Sequence, residues 1–179
     1  MTLQIEDKTF EPFIEYNLIE KRIRLMAIQM TVDYEDKAPV FIGVLNGAFI
    51  FMADLIREIE TPVETAFVKV ASYNGATTSS GTIKDELELN IDIIDRHIVI
   101  VEDIVETGLT LQYLIEKFKE KNPASISVAA LLYKPKALKA DIEEIEYIGF
   151  EIPNDFVVGF GMDYKGFGRN TCDIYRLCE

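Results

Sequence analysis

IVIVEDIVETGLT, residues 98–110, passes from four apolar β-branched residues through two adjacent carboxylates into a small, hydroxyl-rich turn. The run Ile98-Val99-Ile100-Val101 reads as a strand buried on both faces of a parallel sheet. Leu111, Leu114, Ile115 and Phe118 then recur at helical spacing and form one apolar helix face. The loop between holds Thr107, Gly108 and Thr110, which can aim backbone N–H groups at a phosphate resting on the helix N-terminus. Glu102 and Asp103 repel phosphate but suit a sugar diol or a hard cation. Together these residues imply a site for a phosphorylated sugar.

Working outward, Val40 to Leu45 reads as a second short apolar strand, followed by Asn46-Gly47 and a helix carrying Met52, Leu55, Ile56 and Ile59 on one face. Val63 to Ala71 alternates like a strand, and Ser72 to Gly81 (SYNGATTSSG) reads as a long mobile loop. Ser125 to Tyr133 is a further strand, and Tyr147 to Ile152, Phe156 to Phe160 and Cys172 to Leu177 are shorter candidates. An N-terminal helix is expected with Ile14, Leu18, Leu25 and Ile28 on its buried face. Strands alternating with helices imply an α/β fold with a parallel central sheet flanked by helices, whose ligands gather beyond the carboxyl ends of the strands. Asn46-Gly47, residues 102–110 and Lys134 all follow expected strands, so they converge on one edge.

The 179 residues fit one domain. A formal charge of −13 argues against nucleic acid or an anionic membrane as a partner, so an anionic substrate must be held by local devices. No stretch reads as a membrane span, and the acidic opening MTLQIEDKTFEPF lacks the apolar core of a signal peptide; a cytoplasmic location is expected. Cys172 and Cys178 are six residues apart on an extended segment, a span of about 20 Å that no internal bridge could close, so both are expected to be reduced. The only histidine, His97, precedes a strand and is expected to be structural. No G-x-G-x-x-G follows any strand, which disfavours a dinucleotide site.

The chain resembles the type I phosphoribosyltransferases, most of all their hypoxanthine-guanine branch. Five segments carry the likeness in order: LNGAFIFMADL (45–55), ASYNG (71–75), IVIVEDIVETGLTL (98–111), LLYKP (131–135) and GFEIPNDFVVGFGMDY (149–164). The resemblance implies the type I phosphoribosyltransferase fold, with a small hood built from the N-terminal segment and roughly residues 150–179. It implies transfer of ribose 5-phosphate from phosphoribosyl pyrophosphate to a purine ring nitrogen, with Mg²⁺ as cofactor and a homodimer or homotetramer as the assembly. Glu102 and Asp103 would approach the ribose hydroxyls directly or through Mg²⁺, and Thr107, Gly108, Leu109 and Thr110 would hold the 5-phosphate. Lys134 would donate to the 6-oxo group of hypoxanthine or guanine; the 6-amino group of adenine would meet it with hydrogens instead. Phe156 would stack on the purine and Val157 would offer backbone groups to its edge. Asp163 would contact the purine and bind a second Mg²⁺ on the pyrophosphate side, with Arg169, Asn46 and Gly47 on the pyrophosphate, and Ser72 and Tyr73 would belong to a closing loop. Glu106 stands where the family usually carries Asp near the purine's imidazole nitrogens, so it keeps the carboxylate and adds one methylene. A xanthine-preferring enzyme and a non-catalytic nucleotide- or phosphoribosyl-binding regulator are the alternatives.

Overall fold

A computed structural model describes residues 1–72 and 83–178. Its elements are β1 (Leu3–Ile5), β2 (Lys8–Ile14), α1 (Tyr16–Asp33), β3 (Val40–Leu45), α2 (Phe49–Glu58), β4 (Glu64–Ser72), β5 (Ile83–Leu87), β6 (His97–Val105), α3 (Leu109–Lys119), β7 (Ser125–Tyr133), β8 (Ile145–Glu151), β9 (Val157–Val158) and β10 (Ile174–Leu177). Two sheets result. The six-stranded sheet runs β5-β4-β3-β6-β7-β8, parallel throughout except for β5, which pairs antiparallel with β4. The four-stranded sheet β1-β2-β10-β9 is antiparallel and built from the two terminal segments.

Side-chain alternation along the inner strands divides the core. Phe41, Val99, Val101, Ala129 and Leu131 join the cluster that holds α1 and α2, whereas Val40, Ile42, Ile98, Ile100, Val128 and Ala130 join the cluster of α3. Carried past Val101, this alternation sends Glu102 towards α3 and Asp103 towards α2. One strand thus supplies a carboxylate to each side of the sheet's rim.

Three expectations about the elements need correction. The N-terminal helix does not bury Leu18, Leu25 and Ile28. These side chains and Val32 keep half or more of their surface in solvent, while Ile19, Ile23, Met26, Ala27 and Met30 face the sheet. Both stripes are apolar, so periodicity alone could not choose between them. Ile14 lies in β2, not in the helix. The strand at the opening motif also runs on through Glu102, Asp103, Ile104 and Val105, because β7 keeps pairing with it as far as Val105. Of the expected closing loop, Ser72 ends β4, and Tyr73 lies outside the described residues.

At the opposite end of the sheet, Tyr34 and Tyr147 form a polar network. Tyr34 bonds the buried hydroxyl of Ser127, and Tyr147 Oη donates to Asp33 Oδ2 at 2.9 Å. Burial raises the pKa of both phenols, so both remain donors. His97 lies edge-on to Tyr34 and its Nδ1 is 2.7 Å from Ser125 Oγ, the structural role expected of it. Tyr147→Phe is expected to cost about 1 kcal/mol, the usual worth of one hydrogen bond. For a domain of this size that is a fall of about 2–4 °C in Tm, readable by calorimetry.

Candidate functional site

Beyond the carboxyl ends of β3, β6 and β7 lies a cleft of about 280 Å³. It is lined by Gly47, Asp103, Ile104, Glu106, Lys134, Phe156, Val157, Met162, Asp163 and Arg169. A smaller hollow of about 130 Å³ adjoins it through Ile104 and Glu106, and there Glu102 meets Thr107, Gly108 and Thr110. Residues far apart in the chain are thereby gathered at one rim.

The hollow is shaped by the start of α3. Gly108 precedes the helix at φ 77°, a left-handed conformation that favours glycine, and a Cβ there would come within 2.9 Å of Leu138 and Ile142. Among the described residues no side chain caps the helix, which leaves the N–H groups of its first turn for a ligand. Leu109 is exposed at that turn and contributes backbone only. Thr107 is fixed from behind, its carbonyl accepting the N–H groups of Lys139 and Ala140 at 3.0 and 3.3 Å.

Glu102 and Asp103 form the acidic wall. Burial pushes the Glu102 carboxyl well above the usual carboxylate range, and the neighbouring Asp103 charge adds to the shift. Burial likewise raises Asp103, against a hydrogen bond with Glu102 and the pull of Arg169. Glu102 Oε2 is buried from solvent and has no hydrogen-bond partner among the described residues. Two carboxyls crowded this way favour a shared proton or a cation. Asp103 also packs directly on Gly47, where any Cβ would overlap its carboxylate. On its far side, the Gly47 carbonyl abuts Gly161, which lacks a Cβ as well. Asn46 joins this loop through a cis Leu45–Asn46 bond and points to solvent.

The base side is framed by β7 and the terminal segment. Lys134 N donates to Val105 O at 2.9 Å, which fixes the lysine at the strand end. Its side chain is only 4 % exposed, and Nζ lies 3.4 Å from Glu106 Oε1. Opposite, Phe156 is backed by Tyr164, edge-on at 5.8 Å, and by Lys8, whose Nζ is 5.3 Å from the ring centroid. Arg169 Nη2 is 2.6 Å from Asp163 Oδ1, and its Nη1 donates to the Gly161 carbonyl at 2.6 Å. Both cations of the cleft are therefore paired with acids of the cleft itself. Ile104 and Met162 complete the apolar lining; sequence reading passed over both, since each looks like an ordinary core residue.

A sheet rim with a sugar-sized acidic wall, an uncapped helix start and a flat slot ending in a buried ammonium defines a phosphoribosyl-transferring class of protein. The comparisons agree: the phosphoribosyl transferase domain matches residues 15–165, and the chain belongs to that family. It is 45% identical over 152 residues to the hypoxanthine-guanine phosphoribosyltransferase of Bacillus subtilis (strain 168), covering 85% of this chain and 84% of that one. It is 41% identical over 175 residues to the same-named protein of Streptococcus pneumoniae (strain ATCC BAA-255 / R6), covering 98% and 97%. A solved hypoxanthine phosphoribosyltransferase from Staphylococcus aureus superposes with a TM-score of 0.89 at 38% identity, covering 94% of this chain and 91% of that one.

Proposed function

We propose that the protein transfers ribose 5-phosphate from phosphoribosyl pyrophosphate to hypoxanthine or guanine, giving IMP or GMP and pyrophosphate. The observation that carries this reading is the buried Lys134 ammonium facing one cleft with Phe156, Asp103 and Arg169. A hydroxyl, which both donates and accepts, could meet a 6-amino purine as readily as a 6-oxo one; an ammonium, which has no acceptor, favours the oxo group.

In this reading the first turn of α3 and the hydroxyls of Thr107 and Thr110 hold the 5-phosphate, while Glu102 and Asp103 hold the ribose diol. As the bond from the anomeric carbon to pyrophosphate breaks, that carbon becomes cationic and the acidic wall stabilises it more than it stabilises the ground state. Phe156 and Val157 orient the purine, whose ring nitrogen forms the new bond to the sugar. Glu106 accepts the proton that the imidazole ring must lose. Arg169, with the amides of residues 46 and 47, takes the departing pyrophosphate.

Mg²⁺ fits this site. The orphaned Glu102 Oε2 and the crowded acid pair call for positive charge, and Mg²⁺ is usually held by one or two carboxylates together with substrate phosphates and water. Glu102 and Asp103 would hold it on the ribose side and Asp163 on the pyrophosphate side, where it would neutralise phosphate charge. A cytoplasmic homodimer or homotetramer completes the reading. Among the described residues no helix is long and apolar enough to cross a membrane, and the exposed α1 stripe offers an apolar surface for a second copy.

The test is nucleotide formation from phosphoribosyl pyrophosphate, Mg²⁺ and each of hypoxanthine, guanine, xanthine and adenine. Turnover is expected with hypoxanthine and guanine, and adenine should be at least about 100-fold poorer, since a buried donor left unpaired costs roughly 1–3 kcal/mol and an ammonium more. Absence of turnover with every 6-oxopurine would sink the proposal.

A further inference from the structure

Three aromatic rings and one ammonium pack behind the wall of the cleft that carries Phe156. Phe156 lies 5.8 Å from Tyr164, and the fully buried Phe10 lies 6.3 and 6.2 Å from these two rings. Lys8 closes the cluster from β2, its Nζ 5.3 Å from the Phe156 centroid and 4.8 Å from that of Tyr164. Phe156 lines the cleft and Lys8 does not, so the ammonium lies on the side of the ring away from a bound base. Its neighbour Asp7 is engaged instead by Lys165 at 2.7 Å and accepts from the Tyr164 hydroxyl at 3.1 Å. Among the described residues no carboxylate forms an ion pair with Lys8, so its charge is directed at the two rings. Phe156 is itself 43% exposed, and packing alone leaves much of this ring unsupported.

We propose that Lys8 is a positioning residue for the purine, its ammonium fixing the tilt of Phe156 against Tyr164 before the base arrives. The inference rests on the reading of Phe156 as the ring that stacks on the purine. A cation attracted to two rings at once holds them at one spacing. Tyr164 directly follows Asp163, which lines the cleft and is paired with Arg169, so the second ring is anchored at the base side. Without the cation, a half-exposed phenylalanine samples other rotamers and must be ordered when the base binds. That cost falls on the base and not on phosphoribosyl pyrophosphate, whose groups are held by β6, the start of α3 and residues 46 and 47. Immobilising one such side chain weakens binding by about threefold to tenfold. The β1–β2 hairpin thereby takes part in base recognition without touching the base.

The experiment compares wild type with Lys8→Met, Lys8→Arg and Phe156→Leu in steady-state kinetics, with a melting curve for each. Met keeps the length and the apolar stem but removes the charge; Arg keeps a cation that stacks on rings. Lys8→Met is expected to raise the KM for hypoxanthine and guanine about threefold to tenfold. Its kcat and its KM for phosphoribosyl pyrophosphate should change less than about twofold, and Lys8→Arg should restore the base KM to within about twofold of wild type. Phe156→Leu should raise the base KM at least as far as Lys8→Met does. A merely structural lysine would not move the KM of one substrate alone. If Phe156→Leu raises the base KM and Lys8→Met does not, Lys8 does not position the ring. If Lys8→Met raises both KM values together, or arginine fails to restore the base KM, the proposal is also overturned. If Phe156→Leu leaves the base KM unchanged in an active enzyme, the stacking reading itself fails and takes the proposal with it.

Discussion

Gly47→Ala should reduce kcat/KM for phosphoribosyl pyrophosphate by at least about 100-fold, a loss of about 2.7 kcal/mol in transition-state stabilisation. The added methyl group would lie on the Asp103 carboxylate. Asp103 cannot retreat, because it is buried on β6 and flanked by residues 102 and 104, which pair with β7. The Gly47 loop cannot retreat either, since its carbonyl already touches Gly161 on the terminal segment that carries Asp163 and Arg169. One methyl group thus displaces the acidic wall, the pyrophosphate loop or the arginine. Overpacking of this kind also costs about 1–3 kcal/mol of stability. A melting curve recorded beside the kinetics separates the two effects. A variant that folds and retains activity within tenfold of wild type would show that the loop accommodates the side chain.

How far the sequence disclosed this site depended on the kind of signal each residue gave. The inner strands β3, β6 and β7 were legible because a continuous apolar run has few alternatives in an α/β chain, and the α3 face was legible because Leu111, Leu114, Ile115 and Phe118 are its only strong apolar spacing. The buried face of α1 was not, since Leu18, Leu25 and Ile28 compete with Ile19, Ile23 and Met26 at the same period. Only packing against β8 and α2 decides between the two stripes. The short β1 and the antiparallel β5 gain their order from neighbouring strands more than from their own pattern. Motif residues such as Lys134 and Asp163 could be named from local sequence, but their pairings with Glu106 and Arg169 depend on distances that no spacing encodes. The same holds for Ile104 and Met162, apolar residues whose exposure to the cleft follows from where the sheet ends.

Glu102→Gln should make the ligand-free protein more stable and the enzyme at least about 100-fold slower, the usual effect of removing one preorganised charge from a reacting centre. The two effects share a cause. Folded, Glu102 holds its proton more tightly than the ordinary glutamate value of 4.5 allows, because burial and Asp103 both disfavour its charge. Between 4.5 and that raised value the native state binds more protons than the unfolded state, so stability is complete below this window and is lost as pH rises through it. Glutamine has no charge to disfavour and can still donate a hydrogen bond to Asp103. The melting temperatures of wild type and variant should therefore converge in acid and separate above pH 4.5, the variant melting higher. Each kcal/mol regained is worth about 2–4 °C. Addition of phosphoribosyl pyrophosphate with Mg²⁺ should narrow or reverse the difference, because ligand stabilises the wild type in proportion to an affinity the variant has lost. A variant that melts below wild type at neutral pH without ligand would show that the glutamate is a net stabilising group. A variant that melts higher and retains full activity would show instead that its charge plays no part in the transfer.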